Sequence, residues 1–192
     1  MLRRAPSRVV QRVLPVKKDI QVKTLPAELQ ERETRQEPGA AKIREFNVTQ
    51  NDLSLYWSEL GLEDAFPHLQ PRHWPNANGR INALIGFETT KYSDSGIHHD
   101  GEDGVIFMMG PSDGYKYFHT FAHIGDIKSN LSEASTVSHV EFQEDDCNAI
   151  GLIKETFHLV AGSALFVPGG VVHRVETTGK VCGLRFNVEA RR

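Results

Sequence analysis

From Ile81 to its end the chain reads as a series of short β-rich runs separated by clusters of Gly, Pro, Asp and Ser. The runs are Ile81–Tyr92, Val105–Met109, Tyr115–Phe121, Val137–Phe142, Ala149–Lys154, Phe157–Val160, Ala164–Val167, Val171–Val175 and Cys182–Val188. Strands of this length with turns between them predict an antiparallel sandwich or barrel rather than βαβ units. The polar, acidic stretch 124–148, with Glu144, Asp145 and Asp146, reads as a long excursion between strands. Such excursions in compact domains tend to be lids or binding loops.

Upstream of the strands one helix is predicted. Thr49 and Asp52 form a capping box with Asp in place of Glu or Gln, Leu53, Trp57 and Leu60 share a face, and Gly61 ends it. A Pro/Asn/Gly-rich loop from Pro67 to Gly79 follows. Residues 1–42 are rich in Pro, Arg, Gln and Glu with little apolar periodicity, and are expected to be a flexible basic and polar extension. Residues 43–192 then make a single domain, which the chain's 192 residues are long enough to give a core.

The formal net charge of −3 gives no global sign of nucleic-acid binding. It is unevenly spread. Arg3, Arg4, Arg8, Arg12, Lys17 and Lys18 open the chain with no acid among them. Taking those six from the 22 basic residues leaves 16 against 25 acidic ones. Such a start suits a disordered tail, a mitochondrial transit peptide or a phosphate-binding arm. Two cysteines without CxxC spacing, Cys147 and Cys182, suit a reducing, cytosol-like compartment, so the chain is expected in the cytoplasm unless the basic start directs it to mitochondria. No run approaches the roughly 18 apolar residues of a membrane span.

The chemistry concentrates in Gly96-Ile97-His98-His99-Asp100-Gly101-Glu102. In an extended segment alternate residues share a face, so His98 and Asp100 project together while His99 points away. A third donor comes from farther along, and the best placed is His173, after the Pro168-Gly169-Gly170 turn. Two imidazoles and one carboxylate on one side of a metal leave its other positions open, as in the facial triad of non-haem iron(II) sites. The segment Gly183–Glu189, with Arg185 twelve positions after His173, alternates strictly, with Leu184, Phe186 and Val188 on one face and Arg185, Asn187 and Glu189 on the other. A planar guanidinium such as that of Arg185 can grip a carboxylate with two parallel hydrogen bonds. His119 and His123, four apart in an aromatic run, would share a strand face about 13 Å apart, too far for one zinc ion.

His-x-Asp, a distant His and an Arg ten to fourteen residues later resemble the Fe(II)/2-oxoglutarate dioxygenase superfamily over roughly residues 81–191. Finer likenesses point towards its AlkB-like members. Lys91-Tyr92 resembles their co-substrate strand, His98-His99-Asp100-Gly101-Glu102 their His-x-Asp-x-Glu, and Arg185-Phe186-Asn187-Val188-Glu189-Ala190-Arg191 their Arg-x-Asn-x-x-x-Arg ending. The resemblance implies a mainly β, double-stranded β-helix barrel (a jelly roll, cupin-like) with N-terminal helical support. It implies Fe(II) on His98, Asp100 and His173, 2-oxoglutarate on Arg185 with Tyr92, Asn187 and Arg191 in support, and O₂ as oxidant. Asp100 in the triad implies hydroxylation or a hydroxylation-derived demethylation rather than halogenation.

The expected activity is oxygenation coupled to decarboxylation of 2-oxoglutarate to succinate. The substrate would be a small molecule or amino acid, or an N-alkylated nucleobase flipped into the pocket. No membrane partner is expected, and oligomeric state is not legible. Gly162–His173 also resembles the second cupin motif, Gly-x5-Pro-x-Gly-x2-His, which keeps open a cupin-like metal-binding protein that is non-enzymatic or independent of 2-oxoglutarate. Hydrolase elbows, Walker loops and GxGxxG are absent from the sequence.

Overall fold

The computed structural model of the chain describes residues 8–15, 31–36, 41–46, 48–72, 84–89, 92–109, 113–123 and 154–191. In chain order they form strands β1 (Val10–Val13), β2 (Glu31–Gln36) and β3 (Ala41–Phe46), then helices α1 (Gln50–Glu59) and α2 (Leu62–Ala65). The strands β4 (Leu69–Pro71), β5 (Leu84–Thr89), β6 (Ser93–His99), β7 (Gly104–Met109) and β8 (Tyr115–His123) follow. Last come β9 (Glu155–Leu159), β10 (Ser163–Val167), β11 (Val171–Thr178) and β12 (Val181–Ala190).

Pairing runs inward from both ends of this series. β5 pairs with β12, β6 with β11, β7 with β10 and β8 with β9, all antiparallel. The chain is thus one long hairpin, wound so that its two-stranded ribbon passes back and forth between two sheets. One sheet holds β10, β7, β12 and β5 as successive neighbours; the other holds β6, β11, β8 and β9. That winding is a double-stranded β-helix, the jelly-roll barrel expected from the sequence.

Strand alternation then makes two cores. Met108, Phe118, Leu159, Leu165, Val167, Val171 and Val181 cluster inside the barrel. Val105, Phe107, Met109, Phe166, Leu184, Phe186 and Val188 face out of the larger sheet, where Leu53, Trp57, Leu60, Leu62 and Phe66 cover them. The helices are there to bury that second face. α1 starts where expected, with the Thr49–Asp52 capping box formed in both directions, and Gly61 takes the left-handed turn (φ 74°) that ends it. Trp57 meets the Phe186 ring edge-on at 5.5 Å.

Three expectations are corrected. Residues 1–42 are not wholly a loose extension: β1 pairs with β10, β2 and β3 extend the larger sheet beyond β5, and β3 straddles the expected boundary. The cause is a short alternation that the charge pattern hides. Val10 and Leu14 pack on the outer core and Val9 on the inner one, and Leu14 N–H donates to Gly162 O at 2.8 Å. The Pro67–Gly79 loop likewise contains a strand, β4, which pairs with the end of β12. The single run Ile81–Tyr92 is divided between β5 and the approach to β6. The runs Val137–Phe142 and Ala149–Lys154, and the long excursion 124–148, lie outside the described residues. Among the described residues no helix is long and apolar enough to cross a membrane.

Trp57→Ala removes the side chain that joins α1 to β12. Its expected cost is about 3–5 kcal/mol of folding free energy, read from a urea-unfolding midpoint.

Candidate metal centre

The register between β6 and β11 sets His98 directly opposite His173. Directly opposed residues of an antiparallel pair share a face, and the two rings lie 4.3 Å apart between centroids. That face is the barrel interior, because His173 stacks on the inner-core residue Phe118 at 4.6 Å with a 20° tilt. Asp100 follows one residue after β6 ends. One donor atom from each of His98, Asp100 and His173 lies within 4.8 Å of the others. Among the described residues no other His, Cys, Asp or Glu group gathers in this way.

Each imidazole is oriented from behind. His98 Nδ1 sits 3.2 Å from Gly96 O and His173 Nδ1 sits 2.9 Å from Val171 O. A carbonyl can only accept, so each Nδ1 carries the proton and each Nε2 keeps its lone pair for a metal. Gly96 is the residue that can turn this way, at φ 66°.

Burial pushes the His173 imidazole down to about 4, with help from neighbouring His98, which keeps it neutral at ordinary pH. Burial alone would raise the Asp100 carboxyl. The guanidinium of Arg185, with the imidazoles of His173 and His98 beside it, outweighs burial and holds that pKa below the usual carboxylate range. A neutral His173 and an ionised Asp100 are the forms in which these groups can bind a metal.

Arg185 enters from β12, the central strand of the opposite sheet, and its Nη2 lies 3.1 Å from Asp100 Oδ2. Room for it comes from Gly104 on β7, where an added Cβ would stand 3.0 Å from Arg185 Nε. Asn187 is buried two residues along the same inward face.

Other expected site residues lie elsewhere. Tyr92 is 56% exposed, and its hydroxyl faces Asp94 at 3.4 Å, at the far end of β6 from His98. Arg191 is drawn outward to Glu63 of α2, at 2.6 Å, because β12 at its end runs alongside β4 and the helices. Neither joins the cluster. His119 is held on the outer side of its sheet by Thr156 (2.9 Å) and Glu176 (3.4 Å), while the His123 side chain lies outside the described residues. His99 faces away, opposite Val172, as the alternation expects. Sequence reasoning missed Phe118 and Gly104. Alternation in Tyr115–Phe121 marks faces but not which one turns inward, and a glycine beginning a strand carries no mark of the side chain it accommodates.

No family model and no curated protein matches this sequence. Solved structures of YcfD, a ribosomal oxygenase from Escherichia coli, align with a TM-score of 0.40 at 16% identity, over 79% of this chain and 32% of that one. Its complex with cobalt and 2-oxoglutarate aligns with a TM-score of 0.41 at 15% identity, over the same shares. The chain therefore spans about a third of the length of those proteins. Its own strand order and pairing define its fold.

A pH dependence follows from His173. An unfolded imidazole takes its proton near 6.5, whereas the folded one resists until about 4. Between those values the unfolded chain binds more protons, so stability falls as pH drops through the window. The expected loss is up to about 3 kcal/mol between pH 6.5 and 4 in chelator-treated protein. Denaturant titrations across that range measure it, and His173→Gln should flatten the slope.

Proposed function

We propose that this chain is an Fe(II)- and 2-oxoglutarate-dependent dioxygenase. The observation that carries the reading is the meeting of His98, Asp100 and His173 inside the barrel with Arg185 beside them. Two imidazoles and one ionised carboxylate suit a ferrous ion and leave several of its positions open. Bound together, the iron and the oxo acid couple decarboxylation to succinate and CO₂ with transfer of an oxygen atom from O₂ to the substrate.

The chain's own part is to hold and exclude. His98 and His173 would present Nε2, each fixed by the carbonyl behind its Nδ1. Asp100 would supply the anionic donor. Arg185, whose fork is matched to a carboxylate, would take the distal carboxylate of 2-oxoglutarate, with Asn187 next to it on the strand. Phe118 closes the side of His173 against water.

For the substrate, hydroxylation or oxidative demethylation of a small molecule, an amino acid or an N-alkylated nucleobase fits the proposal. The acidic body favours the small molecules, and the basic start favours nucleic acid. Binding of single-stranded oligonucleotides that weakens steeply with salt would select the nucleobase.

With iron(II) and 2-oxoglutarate the wild-type chain is expected to release succinate, and Asp100→Ala to release none. Arg185→Ala is expected to weaken 2-oxoglutarate binding by about tenfold or more, through loss of a charge-assisted pair. Calorimetry with Mn(II) present reads that affinity. An Arg185→Ala protein that binds 2-oxoglutarate as tightly as wild type, with no turnover in either, would sink the reading and leave a metal-binding barrel.

A further inference from the structure

Asp100 sits on a loop rather than in a strand, so no ladder of backbone hydrogen bonds fixes its position. The loop is held from outside by Asp103, three residues on and outside the donor cluster. Asp103 Oδ1 accepts from Gly169 N–H at 2.8 Å, in the turn that leads into β11 and His173. Its backbone carbonyl accepts from Val188 N–H of β12 at 3.0 Å. The next residue of the turn completes the clasp: Gly170 N–H donates to the carbonyl of Asp100 itself at 2.7 Å. Turn and loop are in direct contact, since a Cβ on Gly169 would stand 2.6 Å from Gly101 O and 3.1 Å from Glu102 C.

We infer that Asp103 is the positioning residue of the metal centre, and that it acts through Asp100. Its side chain ties the loop bearing the carboxylate donor to the turn that launches His173. Its main chain ties the same loop to β12, the strand of Arg185. The separation between Asp100 and His173 is then set jointly by this side-chain hydrogen bond, made away from the metal, and by the main-chain bond from Gly170 to Asp100. Groups that orient ligands from behind are commonly worth 10- to 100-fold in metal affinity. The inference rests on the reading of His98, Asp100 and His173 as metal ligands.

Cobalt(II) titration of the full chain tests it, with the d–d absorption band reporting ligand geometry. Asp103→Ala is expected to lose about 10-fold or more in cobalt affinity and to shift the band, with the far-ultraviolet circular dichroism unchanged. Asp103→Asn keeps an acceptor oxygen for Gly169 N–H, and should stay within about threefold of wild type with the native band. Equal affinity in Asp103→Ala and wild type overturns the inference. So does an equal loss in Asp103→Asn, which would assign the effect to charge. If Asp103→Ala does not fold, Gly169→Ala presses on the same loop and should lower cobalt affinity; unchanged binding there also overturns it. A wild-type chain that binds no cobalt removes the metal-centre reading itself, and this inference with it.

Discussion

The β6–β11 pairing is the interaction on which the rest of the centre depends. Because side chains on a strand alternate, the register that sets His98 against His173 is all-or-none: a slip of one residue would put the two rings on opposite faces of the sheet. Several features make the register specific. On the outer face Arg174 of β11 reaches across to Asp94 of β6, with Nε 3.0 and 3.1 Å from the two carboxylate oxygens. That guanidinium holds the Asp94 carboxyl below its usual range, so the cross-strand pair is charged on both sides. Phe118 and the inner core hold the other face.

The wound hairpin explains why donors so far apart in the chain can converge. His98 and His173 are 75 positions apart in sequence yet are opposite partners in one ladder, since β6 and β11 are the pair next inward from β5 and β12 along the wound hairpin. Arg185 comes from the outermost pair of the same hairpin, on the facing sheet, and so approaches the centre from across the barrel. One topological fact therefore accounts for both the two histidines and their cationic neighbour.

Legibility in the sequence followed the physics of each feature. The period of two along Gly183–Glu189 placed Arg185 and Asn187 on one face and Leu184 and Phe186 on the other, because both faces of β12 are buried in different company. The Thr49 cap and Gly61 stop were legible because capping is local chemistry. Tyr92 and Arg191 lie away from the donor cluster, and spacing along a strand does not reveal where a bulge or twist carries its ends. β6 is irregular against β11 between Arg174 and Glu176, and the end of β12 leaves the barrel for β4. Asp103 was invisible for another reason. Its side chain acts through one contact with a turn 66 residues away, and its type and spacing carry no periodic mark.

The pairing of β1 with β10 gives the first residues a duty apart from their charge. β1 covers what would otherwise be an open row of backbone donors and acceptors along the barrel wall, beside the turn that leads to His173. Open strand edges invite pairing between molecules. Any processing that strips the arginine-rich start would therefore have to cut ahead of Val9. A cut there sheds Arg3, Arg4 and Arg8 and leaves the β1–β10 pairing intact, whereas a cut a few residues later makes β10, a strand with all five residues buried, the new edge of the sheet.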